Sequence, residues 1–105
     1  MEIVWTAYSI ESLYALLSFV GARWGEDKAR EVRAQIKKDV SLLRIYPKMG
    51  ACQPEGPVDV RVLVIKKKNK VYYTIKENKV YILVVWDVRQ DPENLAVLLN
   101  QILER

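Results

Sequence analysis

Across Glu2–Thr6, Ile3 and Trp5 point one way and Val4 the other, an alternation that predicts a short strand. The period then lengthens. Ile10, Leu13, Tyr14, Leu17 and Val20 recur at the spacing of one helical face, with Leu16 and Phe19 widening the stripe, so a helix is expected to follow the strand closely. Glu11 is placed in its first turn, where a negative charge complements the helix dipole. Gly25 is its expected stop, because glycine tolerates the left-handed conformation found just beyond a helix C-terminus. A second helix opens with Glu26 and Asp27 and turns Ala29, Val32, Ile36, Val40 and Leu43 inward. Its other face carries Arg30, Arg33, Lys37, Lys38 and Arg44. It ends near Tyr46, since Pro47 lacks an amide donor and restricts the residue before it.

Lys48–Pro57 is rich in glycine and proline and is read as the main loop. Beyond it the period is two. Val58, Val60, Val62 and Val64 alternate with Asp59, Arg61, Leu63 and Ile65, as in a strand. Lys66–Lys70 reads as a turn, Val71–Ile75 as the next strand and Glu77–Asn78 as a tight hairpin turn. Val80–Asp87 is an almost continuous apolar run, the pattern of a strand buried on both faces. Asp91 is a suitable N-cap with Pro92 at the first helical position, and Leu95, Leu98, Leu99 and Ile102 share one face of a final helix. The expected fold is α+β: an N-terminal strand, an antiparallel helical hairpin, a three-stranded antiparallel meander and a C-terminal helix, in one domain over residues 1–105. That length suits a single core.

Composition narrows the chemistry. The one cysteine, Cys52, excludes an internal disulfide, and the absence of histidine excludes a Ser-His-Asp triad and a zinc site of the usual Cys/His kind. No metal or other cofactor is therefore expected. No apolar run approaches the ~20 residues of a membrane span and Met1 leads directly into the strand pattern, so a cytoplasmic protein without membrane contact is expected. The net charge of +4 is unevenly distributed. Between Arg61 and Lys79 lie seven basic residues and one acid, a balance of +6 that leaves the rest of the chain at −2. A basic meander on a slightly acidic body is an electrostatic footprint for a polyanion or an acidic protein, or else a solvated hairpin whose lysines protect strand edges.

The order of elements, and several motifs carried on them, resemble toxins of the RelE/ParE superfamily, the toxic half of bacterial type II toxin–antitoxin modules of the plasmid-stabilisation type. The matching pieces are IVWT at Ile3–Thr6, ARWG at Ala22–Gly25, LLRIYPKMG at Leu42–Gly50, VRVLVI at Val60–Ile65, VYYTI at Val71–Ile75 and VYILVVWDVRQDPENL at Val80–Leu95. The resemblance implies growth inhibition, neutralisation by a cognate antitoxin, and one of two targets. One branch inhibits DNA gyrase by binding. The other cleaves messenger RNA on the ribosome without a metal. It leaves open a homodimer of the free protein and a degenerate member that keeps the fold and has lost toxicity.

The residues separate the branches. Metal-free RNA cleavage needs a group to activate the ribose hydroxyl, cations for the crowded phosphate and an acid for the leaving oxygen. RelE-like ribonucleases carry two lysines on the first meander strand, which fall on Arg61 and Leu63 here. Their arginine entering the next strand falls on Lys70, their arginine after the last strand on Arg89 or Gln90, and their C-terminal tyrosine near Ala96. A second pattern places a histidine where this chain has Asp87. Neither set is complete, so a toxin acting by binding is the leading reading, and a ribosome-dependent endoribonuclease with a rearranged site the alternative. The target-binding candidates are Arg61, Lys66, Lys70 and Arg89, with Tyr72, Tyr73 and Tyr81 as substitute acids for the ribonuclease. Three of these readings have a structural counterpart: Arg61 as the ion-pair partner of Asp87 or Asp59, Arg89 as a cation on turn carbonyls, and Lys66–Lys68 as solvated turn residues; Trp5, Trp24 and Trp86 are read as core.

Overall fold

The computed structural model describes residues 1–53, 59–90, 97 and 99–101. Strand β1 (Glu2–Trp5) leads into helix α1 (Ala7–Trp24), helix α2 (Glu26–Ser41), a 3-10 turn over Leu42–Arg44, and strands β2 (Ala51–Cys52), β3 (Val60–Ile65), β4 (Asn69–Lys76) and β5 (Lys79–Asp87). The strands form one sheet in the order β1-β5-β4-β3-β2. The meander expected from the sequence is its antiparallel centre. β1 adds to β5 in parallel, Glu2 opposite Lys79 through Trp5 opposite Ile82, and β2 adds to the far edge. β2 lies inside the stretch read as a loop, because a two-residue strand has too few positions to show alternation.

Thr6 makes the turn from β1 into α1. Its Oγ1 accepts from the Ser9 N–H at 3.2 Å, an N-cap, and donates to the Ile82 carbonyl at 2.7 Å, so one side chain starts the helix and fastens it to β5. The cap lies earlier than the charge pattern suggested, and the first turn of α1 holds no acid. The buried stripe of α1 is Ser9, Leu13, Leu16 and Val20. Ile10 and Tyr14, expected inward, are 43% and 63% exposed. The helix is rotated so that Leu13, Leu16 and Val20 meet the sheet and α2, and that leaves the Ile10–Tyr14 flank of a wide apolar stripe facing out. Gly25 ends α1 at φ +92° and its N–H bonds to the Gly21 carbonyl at 2.9 Å. In α2, Ile36 and Val40 are buried and Ala29 and Val32 pack against the same core.

The hairpin covers one sheet face, where Ile65, Val71, Tyr73, Val80, Ile82 and Val85 join the α1 and α2 side chains. Leu99, in the helical segment after the sheet, packs on the opposite face with Val60, Tyr72, Leu83 and Val84. Both faces of β5 are thus buried, as its apolar run required. The proposed N-cap at Asp91, Pro92, and the face formed by Leu95, Leu98 and Ile102 lie outside the described residues, as do residues 54–57 of the loop and the start of the first meander strand at Val58.

The β4–β5 ladder slips by one residue between Tyr72 and Tyr73, so that Tyr73 opposes Ile82 and Tyr72 opposes Val84. This bulge reverses the facing of β5 partway along. Val80 and Ile82 face the helices, and beyond the bulge Val85 does so while Val84 does not. The Val85 N–H, past the end of β1, donates to Ser12 Oγ of α1 at 2.8 Å. Without the bulge, Asp87 would face the other way.

Candidate functional site

The bulge brings Asp87 to the helix side of the sheet, opposite Asn69 of β4. The chain then turns back on itself. The Asp87 N–H donates to Gln90 Oε1 at 2.9 Å, and the Arg89 N–H donates to Asp87 Oδ1 at 2.8 Å. The Arg89 guanidinium completes the turn, with Nε donating to Oδ1 at 2.7 Å and Nη2 to Oδ2 at 2.5 Å. The Asp87 side chain is fully buried and that of Arg89 is 36% exposed. Burial alone would push the Asp87 carboxyl up, but the Arg89 hydrogen bonds and the charges of Arg89 and Lys68 outweigh it and hold the carboxyl below its ordinary value. Arg89 is held more firmly protonated by the Asp87 bond.

The outer plane of the same guanidinium lies 4.1 Å from the centre of the Trp24 ring, at the end of α1. Trp24 meets Phe19 edge-on at 6.0 Å, and Arg23 covers Phe19 at 4.3 Å. Two arginines thus flank an aromatic pair, and Trp24, expected in the core, is instead the half-exposed platform for Arg89.

Beside this cluster a cleft of about 490 Å³ opens between the helical hairpin and the β3–β4 turn, lined among the described residues by the polar side chains of Lys28, Glu31, Gln35, Lys66, Lys68, Asn69 and Arg89, with Val20, Trp24 and Val32 in its wall. Lys66 and Lys67 both take positive φ, 54° and 61°, which matches the twist of a hairpin but is usually left to Asn and Gly. Asn69 is buried, and its Oδ1 has no hydrogen-bond partner among the described residues.

The four basic candidates do not converge. Lys66 and Arg89 line the cleft together. Arg61 lies at the far edge of the sheet, where Nη1 donates to the carbonyls of Lys48 at 3.2 Å and Gly50 at 2.8 Å. It therefore pairs with neither Asp87 nor Asp59; the backbone carbonyls of the preceding loop lie closer than either carboxylate, and Asp87 is taken by Arg89. Lys70, opposite both Val64 and Trp86, lies on the face away from the helical hairpin.

The tyrosines are also dispersed. Tyr73 is fully buried among the helices, its hydroxyl donating to the Pro47 carbonyl at 2.8 Å and accepting from the Gly50 N–H at 2.9 Å. Tyr72 is buried on the opposite face with Leu99, and Tyr81 packs against the same cluster. Burial pushes the phenols of both Tyr72 and Tyr73 up, although the Gly50 bond and Arg61 pull Tyr73 back in part. Leu63, at the second lysine position, packs into the helix-side core. The Ala96 position lies outside the described residues. Among the described residues no group of three or more His, Cys, Asp or Glu side chains is placed to hold a metal ion, and Cys52 is exposed and free. No described helix is long and apolar enough to cross a membrane.

The pairing of Asp87 with Arg89 was missed in the sequence, although D-x-R after a strand is a usable signal: an aspartate that accepts from the N–H two residues on also brings that residue's side chain within reach.

Residues 3–92 match the family of ParE toxins of the type II toxin–antitoxin system parDE. The chain belongs to that family. Among solved structures it resembles one described as the chromosomal ParDE TA system from P. aeruginosa, with a TM-score of 0.74 and 23% identity over 85% of this chain and 97% of that one. No curated protein matches it in sequence. The ParE fold accounts for the sheet order and the placing of the helical hairpin, while the Asp87–Arg89–Trp24 cluster and its cleft are read from this ParE-family chain's own residues.

Proposed function

We propose that this ParE-family chain stops bacterial growth by binding its target, DNA gyrase, without cutting RNA, and that a cognate antitoxin neutralises it. The observation that carries the reading is the state of Arg89. A phosphate is gripped through one edge of a guanidinium, and Asp87 occupies the Nε/Nη2 edge while Trp24 covers one plane, which leaves the Nη1 side of Arg89. A carboxylate at that point repels a scissile phosphate as well as competing with it. The supporting observations are the burial of Tyr72 and Tyr73, whose raised phenols are poor acids near neutral pH, and the separation of Arg61 and Lys70 from Arg89. Antitoxin binding is supported by the family's description as one half of a toxin–antitoxin system, and by the outward Ile10–Tyr14 flank of α1, apolar surface suited to a partner.

Induced expression in a bacterial host tests this directly. Growth arrest with accumulated gyrase–DNA cleavage complexes and intact messages is expected, with growth restored by co-expression of the antitoxin encoded beside the gene. Messages cut within translated codons would instead establish the ribonuclease, and unimpaired growth would establish a chain that has lost toxicity.

A further inference from the structure

We infer that the cleft between the hairpin and the β3–β4 turn holds a phosphate group, gripped by Lys66, Lys68 and the Nη1 side of Arg89. Three features point to that ligand, and the first is charge. Lys28 is paired with Glu31 at 3.4 Å and Arg89 with Asp87, while Lys66 and Lys68, exposed on the turn, make no ion pair among the described residues. Two positive charges are therefore left uncompensated in the lining, and both stand on the turn. The backbone sets that turn beside Arg89: the Val88 N–H donates to the Lys68 carbonyl at 2.8 Å, and the charge of Lys68 is felt at Asp87. A single anion with several oxygens, seated at that end of the cleft, faces all three cations.

The second is the setting of Arg89. Asp87 holds the Nε/Nη2 edge and Trp24 lies 4.1 Å from the plane, so the guanidinium is fixed before any ligand arrives. Nη1 makes no hydrogen bond among the described residues and keeps both of its N–H donors. An immobilised donor loses little freedom on binding, and its directed N–H groups suit the oxygens of a phosphate. Lys66 and Lys67, with φ of 54° and 61°, hold a conformation that is strained for a lysine and relaxed for Asn-Gly. Cations thus occupy this turn against the local conformational preference.

The third is the opposite wall, where Glu31 lies in the lining on α2. An acidic peptide running along the cleft brings further carboxylates against Glu31, whereas a phosphate stays at the turn end and needs no second charged position. Among the described residues the site binds without cleaving. The Tyr73 hydroxyl is tied to Pro47 and Gly50 and Tyr72 lies on the other sheet face, so neither phenol stands at the cleft to give up a proton. Of the described positions used by ribonucleases of the superfamily, only Arg89 lines the cleft; Arg61 and Lys70 lie elsewhere. The site does not depend on which target the toxin binds.

Inorganic phosphate, a short duplex DNA and a hexaglutamate peptide, each titrated against the full chain at constant ionic strength and followed by NMR, test the assignment. Phosphate, free or on the duplex, should shift the Arg89 Nε–H and Lys68 amide signals, and the peptide should bind more weakly. A K66N/K68Q double variant should lose roughly tenfold in affinity, the effect of two lost charge contacts. K37Q/K38Q, which removes the same charge from the outer face of α2, should keep the wild-type affinity. All four lysines are exposed and asparagine tolerates the positive φ at Lys66, so both variants are expected to fold, which circular dichroism checks. Unchanged affinity in K66N/K68Q, an equal loss in K37Q/K38Q, peptide binding as tight as phosphate, or no shift with either phosphate or duplex overturns the assignment. The duplex arm identifies the source. Shifts of the same signals at a lower phosphate concentration assign the group to a nucleic-acid backbone, and shifts with free phosphate alone assign it to a small phosphate-bearing molecule; both results uphold the site.

Discussion

Asp87 and Arg89, two residues apart, close on each other through three hydrogen bonds, one from the Arg89 backbone N–H and two from its guanidinium. The carboxylate is fully buried, and the cation keeps one side in solvent and one plane on Trp24. The pair therefore joins the end of β5 to the end of α1, at one side of the cleft between the hairpin and the β3–β4 turn.

Because the buried member is the acid, the two truncations are unequal. Arg89→Ala leaves a buried carboxylate without its cation and is expected to cost about 3 kcal/mol, the lower end for a broken buried pair because the guanidinium is partly solvated. Asp87→Asn leaves no buried charge and should cost less. Urea unfolding of the two variants checks the order, and a larger loss for Asp87→Asn would refute this account of the pair.

The same pair sets an acid limb. The folded Asp87 carboxyl is depressed, so its contribution to stability is complete above the unfolded aspartate value of about 3.9 and is lost as pH falls through that value toward the folded one. Wild-type stability should therefore drop more steeply than that of Asp87→Asn below about pH 4. Parallel slopes in denaturant midpoint against pH would remove Asp87 from the acid response.

Gly50 and Tyr73 form a second junction. A Cβ on Gly50 would stand 2.6 Å from the Tyr73 hydroxyl and 2.9 Å from the Val62 carbonyl oxygen, so Gly50→Ala should destabilise by about 2–3 kcal/mol through overpacking. Tyr73→Phe should cost about 1–3 kcal/mol, since the buried Gly50 N–H and the Pro47 carbonyl lose their partner. In the double variant the rescue should be partial, because ring carbon Cε1 at 2.7 Å, which phenylalanine keeps, and the Val62 carbonyl remain in place. Thermal and urea unfolding of the three chains provide the cycle.

Gly25 is the contrasting case. Among the described residues nothing lies within 4 Å of a Cβ built there, but its φ is +92°. Gly25→Ala should cost about 1–3 kcal/mol from backbone strain alone. D-alanine at that position, introduced by chemical ligation, should restore the wild-type midpoint; a D-alanine chain no more stable than the L-alanine one would point to a cause other than φ.

Much of the architecture was legible in local pattern. The hairpin stop at Gly25, the inward face of α2 at Ile36 and Val40, and the tight turn at Glu77–Asn78 each depend on a few neighbouring residues whose geometry is set by propensity and period. The site was less legible. Lys66 and Arg89 do meet at one cleft, but Arg61 and Lys70 share only the basic character that made them candidates. Lys70 takes the face away from the hairpin by plain alternation while the bulge in β5 returns Asp87 to the hairpin side, and carbonyls from a loop eleven to thirteen residues away compete for the Arg61 guanidinium as well as any carboxylate.

The sequence by itself determined β1, the two helices of the hairpin, the antiparallel meander, their order and the basic surplus on the meander, but not β2, because alternation, helical period and turn chemistry act over a few residues and a two-residue strand shows none of them. Tertiary structure decided the parallel pairing of β1 with β5, the outward facing of Ile10 and Tyr14, and the meeting of Asp87, Arg89 and Trp24. Those outcomes depend on a one-residue slip between β4 and β5 and on the rotation of α1 over the sheet, both settled by packing among residues far apart in the chain.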